Sequence, residues 1–252
     1  MKKKWWRVLS RVLAAVSAVL LILLGIYFIS MRKNAEEAKK LSSNARKIEN
    51  VQSTVLPKNP INFKTLKKEN KDIYAWINIP NTQVDYPIVQ AYSEDDDFYL
   101  DHNIQKNYDI NGAIYTEKLN SKDFGDRNTV IYGHNMLDGS MFQNLHKFRD
   151  KVFFDKNKYF TIYTEGHILK YEIFAAYKYD DRHILNSFDF ENDEVFEEYL
   201  KEVQSPRSLE VNKRQVTLTK ESRLVTLSTC IGNESSYRYL VQGVLVDDTV
   251  TE

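Results

Sequence analysis

A single cysteine in 252 residues excludes any internal disulfide. The fold must rest on a packed core, and an apolar fraction of 42% with 13% aromatic residues supplies one, which excludes general disorder. Net charge is lacking too, since 35 Lys/Arg balance 35 Asp/Glu. The balance hides an asymmetry: residues 1–40 carry nine basic side chains against Glu36 and Glu37, so the remainder is acidic. A nucleic-acid binder would carry its positive charge on the folded domain, so nucleic acid is excluded as a partner. Internal repeats and low-complexity tracts are absent. Carboxylates cluster at Glu94, Asp95, Asp96 and Asp97 without the spacing of an EF-hand loop. No metal and no cofactor is expected.

One long uncharged apolar run is present, residues 12–29, extended to 31 by Ser30 and Met31. At ~1.5 Å per residue it is long enough to cross the ~30 Å hydrocarbon core of a bilayer. Lys2, Lys3, Lys4, Arg7 and Arg11 precede it, and Trp5 and Trp6 suit a membrane interface. The positive-inside rule leaves the amino terminus in the cytoplasm and the rest of the chain outside. The rival, a cleaved signal peptide, would have a shorter apolar region ending in small residues; here the run ends in Tyr27, Phe28, Ile29, Ser30 and Met31. The expected organisation is a basic tail and single-pass transmembrane helix over 1–31, a helical stalk over 32–60, and a folded domain over 61–252 in the cell membrane's outer space.

Within that domain, period-two patterns predict strands at 74–79, 84–89, 113–115, 128–132, 215–218, 224–227 and 237–246. Pro87 marks the second of these as an edge. A hairpin joins 159–163 to 169–179 at Glu165 and Gly166. Helices are expected at 63–70, with Asn62 as a possible cap, at 139–149, and at 192–203. In the last of these Val195, Phe196, Tyr199, Leu200 and Val203 form one apolar face. About eight short strands with few helices predict a mainly β fold, a closed or nearly closed β-barrel with peripheral helices.

The chemistry centres on Cys230. Leu224 to Leu227 read as a buried strand and polar residues begin at Ser228, so the cysteine falls at or just past a strand end, where a rigid scaffold presents a side chain. A lone cysteine ordinarily packs as a small apolar residue. After a short turn, the next strand carries Arg238 near its start. A nucleophile and a fixed cation then need a base. The five histidines are His102, His134, His146, His167 and His183. His134 follows an apolar strand that stops at Gly133, and so shares the strand-end position of Cys230. His146 lies in a segment of helical spacing, and the other three lie in polar, turn-like sequence. Position favours His134 and leaves the others open.

Thr226, Leu227, Ser228, Thr229 and Cys230, with Gly133, His134 and Asn135 upstream and Arg238 downstream, resemble the sortases, membrane-anchored cysteine transpeptidases of Gram-positive bacteria. The resemblance covers residues 73–246 and includes the complete TLxTC signature. The long helix between the hairpin and the cysteine strand is similar to class B members in particular. The resemblance implies a closed eight-stranded barrel with Cys230 as nucleophile, His134 handling protons and Arg238 stabilising an oxyanion. It implies a thioester formed at a carboxy-terminal sorting motif, related to Asn-Pro-Gln-Thr-Asn in many class B cases. An amine of peptidoglycan or of its lipid-linked precursor would resolve that thioester, joining an exported protein to the cell wall. Leu100 is implied as a groove residue; Tyr132 and Ser228, each two residues before a catalytic residue, are expected to face the groove, the alternatives being a packed aromatic and a strand-end hydroxyl. The alternatives are hydrolysis by water, a papain-type protease, and a non-enzymatic surface module. The papain type places its nucleophile before its histidine, and here His134 comes first. A surface module has no need of a lone thiol.

Overall fold

The computed structural model describes residues 56–252 except Asn233, together with scattered positions between 20 and 40. Most of the run 12–29 and of the expected stalk 32–60 lies outside the described residues. Leu20, Leu21, Leu23, Ile26 and Ile29 are described; they are helical and exposed. No helix among the described residues is long and apolar enough to cross a membrane. The chain divides into units 1–44 and 45–252, and the second carries the fold.

That unit opens with helix α1 (Phe63–Glu69), whose Asn62 side chain accepts from the Thr65 amide as the expected cap. Strands β1 (Ile73–Asn78), β2 (Asp85–Val89), β3 (Ile114–Tyr115) and β4 (Asn128–Tyr132) follow. A 3-10 segment (Gln143–Arg149) and the short helix α2 (Lys151–Lys156) lead to β5 (Tyr159–Thr164) and β6 (His167–Asp180). Then come α3 (Ile184–Ser187), α4 (Asp193–Gln204), β7 (Val211–Lys213), β8 (Leu224–Ile231) and β9 (Glu234–Val250). The strands run β5-β1-β2-β3-β4-β8-β9-β6, and β6 pairs back to β5. Eight strands therefore close a barrel, as expected. β6 is long enough to pair with β5 through residues 167–172 and then, on the same edge, with β7 through residues 175–177.

Three expectations are corrected. Residues 215–218 form no strand: the last ladder bond on that edge is Arg214 N to Phe174 O, 2.8 Å, and Val216 and Leu218 are held by side-chain packing instead. The expected helix over 139–149 is a loop followed by a 3-10 segment, because Gly139 and Met141 both adopt positive φ and break the helical path. β2 is not an edge strand. Barrel closure leaves it between β1 and β3, and Pro87 is tolerated where β3, which pairs only from Ile88, has not yet begun.

Alternation along the strands separates two cores. Ile131, Val225, Leu227, Tyr239 and Val241 point into the barrel, where they meet Phe142, Leu145, Phe148, Phe160 and Tyr171. Val130, Leu224, Leu240 and Val244 point outward, beneath Phe196, Tyr199, Leu200 and Val203 of α4. Beneath α4 lies a buried polar network. Gln242 donates to Tyr199 Oη and to Thr226 Oγ1, each at 2.9 Å, and accepts from Tyr177 at 2.9 Å. Thr226 donates to Asn128 Oδ1 at 2.9 Å, and Asn128 Nδ2 donates to Tyr199 Oη at 3.2 Å. Tyr199→Phe takes an acceptor from two buried amides, and is expected to lower stability by about 1–3 kcal/mol. Urea unfolding should show a lower midpoint at unchanged slope; an unchanged midpoint would show that the network contributes nothing.

Candidate active site

β4 and β8 run parallel and in register, with Ile131 opposite Leu227 and Tyr132 opposite Ser228. The Gly133 amide extends the pairing by donating to Ser228 O at 3.2 Å. Two residues further on stand His134, just past the end of β4, and Cys230, still within β8. A shift of two residues preserves the face, so both side chains leave the barrel on the outer side, that of Val130 and Leu224. On the other flank of β8, antiparallel β9 sets Arg238 directly opposite Cys230. Three adjacent strands thus deliver a thiol, an imidazole and a guanidinium to one end of the barrel's outer face. Cys230 lies within β8, one residue from its end, rather than beyond it. The thiol is free and exposed.

His134 Nε2 lies 2.6 Å from the carbonyl oxygen of Leu100. A carbonyl only accepts, so Nε2 carries a proton, and Nδ1 is the nitrogen left without a partner among the described residues. Leu100 belongs to a 3-10 turn (Phe98–Leu100) and keeps its side chain 44% exposed at the rim. Gly112 allows that turn to come close. Its φ is +57°, and a Cβ there would stand 2.6 Å from the Tyr99 oxygen and closer still to that of Leu100.

Arg238 Nη1 donates to the carbonyls of Ser235 at 2.8 Å and Tyr237 at 3.0 Å. These bonds fix the guanidinium plane on its own turn, and among the described residues Nε and Nη2 have no hydrogen-bond partner. Tyr132 is partly buried and stacks on Tyr115 at 5.3 Å, and Ser228, on the same outer face, is nearly covered. Burial pushes both phenols above their ordinary range, so they act as neutral walls. Behind them, Glu117 pairs with His183 at 2.7 Å, tying the β3–β4 loop to the segment before α3. Burial raises the Glu117 carboxyl against the opposing pull of that imidazole. His146, set aside in the sequence as a helix-face residue, sits with Nε2 3.0 Å from the backbone oxygen of Cys230. Tyr115, Glu117, His183 and His146 carry no motif, and only strand pairing and loop packing bring them here. In the acidic run, Glu94 pairs with Lys106 and Asp96 with Lys118.

Gly133 couples the site to the core. A Cβ there would come within 2.5 Å of Ile114 Cδ1 and 2.8 Å of Phe142, both buried. Gly133→Ala is expected to cost about 1–3 kcal/mol by overpacking and, by displacing His134, to lower activity as well. Thermal melting and peptide turnover check the two effects separately.

A cysteine flanked by an imidazole and an arginine on the rim of a closed barrel is the equipment of an acyl-transfer enzyme working through a thioester. Known proteins agree in sequence and in three dimensions. The family model for the sortase domain matches residues 77–246, more than half of the chain, and the chain belongs to the sortase family. It is 37% identical over 187 residues to sortase B of Listeria monocytogenes, covering 73% of this chain and 74% of that one. The crystal structure of Clostridium perfringens sortase B superposes with a TM-score of 0.67 at 36% identity, covering 74% of this chain and all of that one. A Staphylococcus aureus sortase B–substrate complex gives 0.75 at 25% identity over 87% and 99% of the two chains. Like these class B relatives, the protein is a cysteine transpeptidase that anchors surface proteins through their sorting motifs.

Proposed function

We propose that Cys230, His134 and Arg238 carry the reaction. The observation behind this is the ladder geometry: β4 and β8 in parallel register, and Cys230 opposite Arg238. The Cys230 thiolate attacks the scissile carbonyl carbon of the sorting motif, and the resulting oxyanion is held by the free donors of Arg238. Collapse breaks the C–N bond; His134, as imidazolium, protonates the departing amine and leaves a thioester on Sγ. An incoming amine loses its proton to His134, attacks the thioester carbon and releases the thiolate with a new amide bond. Leu100, Tyr132 and Ser228 line the groove for the motif, Leu100 also holding His134 through its carbonyl.

The acceptor is an amine of peptidoglycan or of its lipid-linked precursor. Residues 12–31 form a single transmembrane anchor, with a cytoplasmic basic tail and a stalk over 32–60, so that enzyme, exported substrate and lipid-linked acceptor share one membrane face. The basic residues before the run and the exposed apolar helical positions from Leu20 to Ile29 support this placement.

The test uses the purified enzyme with a quenched sorting-motif peptide. With an amine acceptor present, mass spectrometry should find the ligated product, and hydroxylamine should accelerate release of the acyl half as a hydroxamate. Release of the free acid alone, at a rate no amine alters, would make the protein a hydrolase and refute the transfer reading.

A further inference from the structure

His146 approaches the nucleophile from behind. Its ring packs on Tyr239 at 5.0 Å, and Tyr239 belongs to the inner core, whereas the Cys230 thiol faces out. Its Nε2 lies 3.0 Å from the Cys230 carbonyl oxygen, at the point where the β8–β9 ladder slips between Cys230 and Ile231. The oxygen accepts, so Nε2 must carry a proton. Nδ1 is buried without a hydrogen-bond partner, and an imidazolium would bury an unpaired N–H there, so the neutral Nε2–H tautomer is the one that fits. Burial, reinforced by Arg149, lowers the imidazole's proton affinity against the opposing pull of the Cys230 carbonyl and Glu210.

The 3-10 segment that carries His146 is itself fixed. Asn212 of β7 donates to the carbonyls of Phe148 and Arg149, both at 2.8 Å. Arg149 covers the Tyr239 ring at 5.1 Å and pairs with Glu210 at 3.5 Å. A donor held in this way therefore meets the backbone of Cys230 where the β8–β9 ladder shifts register.

We infer that His146 is a positioning residue for the transpeptidation, its Nε2–H clamping the Cys230 carbonyl so that the thiol keeps its place between His134 and Arg238. The inference rests on Cys230 being the nucleophile. Displacing a reacting atom by ~1 Å can cost ~10²-fold in rate, and loss of one clamp among several supports is expected to cost about half of that on a logarithmic scale, roughly 10-fold. The thiol does not bind the peptide, so the loss should fall on kcat.

Two substitutions separate clamping from packing. His146→Phe keeps a ring on Tyr239 and removes the donor. His146→Gln loses the ring but places an amide nitrogen near the position of Nε2. The expected result is a kcat about 10-fold lower for H146F with KM for the sorting-motif peptide within about twofold, and for H146Q a kcat recovered to within about threefold of wild type. Thermal melting of each variant allows rates to be expressed per folded enzyme. Wild-type kcat per folded H146F, or H146Q no faster than H146F, would overturn the inference. Either result would leave the role of Cys230 standing, because that role is tested by its own substitution.

Discussion

Cys230→Ala should abolish ligation of the sorting-motif peptide, lowering kcat by roughly 10³–10⁶-fold, the range found when a covalent nucleophile is removed. Nothing else in the chain can form the thioester in its place, since Cys230 is the only cysteine in the sequence. The same change should barely touch stability, because the thiol is exposed and substitutions at such positions usually stay within about 0.5 kcal/mol. Peptide turnover and thermal melting measured on one preparation give both halves. A variant that melts with the wild type and still ligates within tenfold of its rate would remove the thioester from the mechanism.

Arg238→Lys should be the second severe change, lowering kcat by about 10²–10³-fold, the usual loss when one oxyanion donor is removed. Charge is conserved in this substitution, so the loss reports geometry. In the native site Nη1 is held by the carbonyls of Ser235 and Tyr237, which fixes the planar fork on the residue paired with Cys230 across the ladder. An ammonium is a point donor; it can satisfy those carbonyls or a developing oxyanion but has no rigid second arm with which to serve both. KM for the peptide should change much less than kcat if the contact strengthens in the transition state. Full activity in the lysine variant would show that Arg238 contributes only positive potential.

The parts of this design legible in the sequence are those written in local pattern. The signature around Cys230, the hairpin at Glu165 and Gly166, the capped α1 and the amphipathic α4 each depend on residues a few positions apart, and each lies where the pattern places it. Strand alternation also announces the barrel. What stayed hidden depends on partners distant in sequence. Closure of β6 onto β5 and the capture of β7 along the same edge follow from the length of one strand and its two-sided pairing. Tyr115 enters the site because the parallel and antiparallel neighbours of β3 set it beside Tyr132. His146 reads as one face of a helix; positive φ at Met141 redirects the chain, and the residue ends against the backbone of Cys230, 84 positions away. Periodicity records which way a side chain leaves its own element, and says nothing about which element comes to meet it.

The side-by-side course of β4 and β8 places a parity rule on the gene. One extra codon between Asn128 and His134 would turn the imidazole into the barrel, while two would restore its direction but carry it about 7 Å along the strand. Length variation in this family member should therefore collect in the connections that approach these strands from outside, and the stretch joining the ladder to the imidazole should tolerate neither insertion nor deletion.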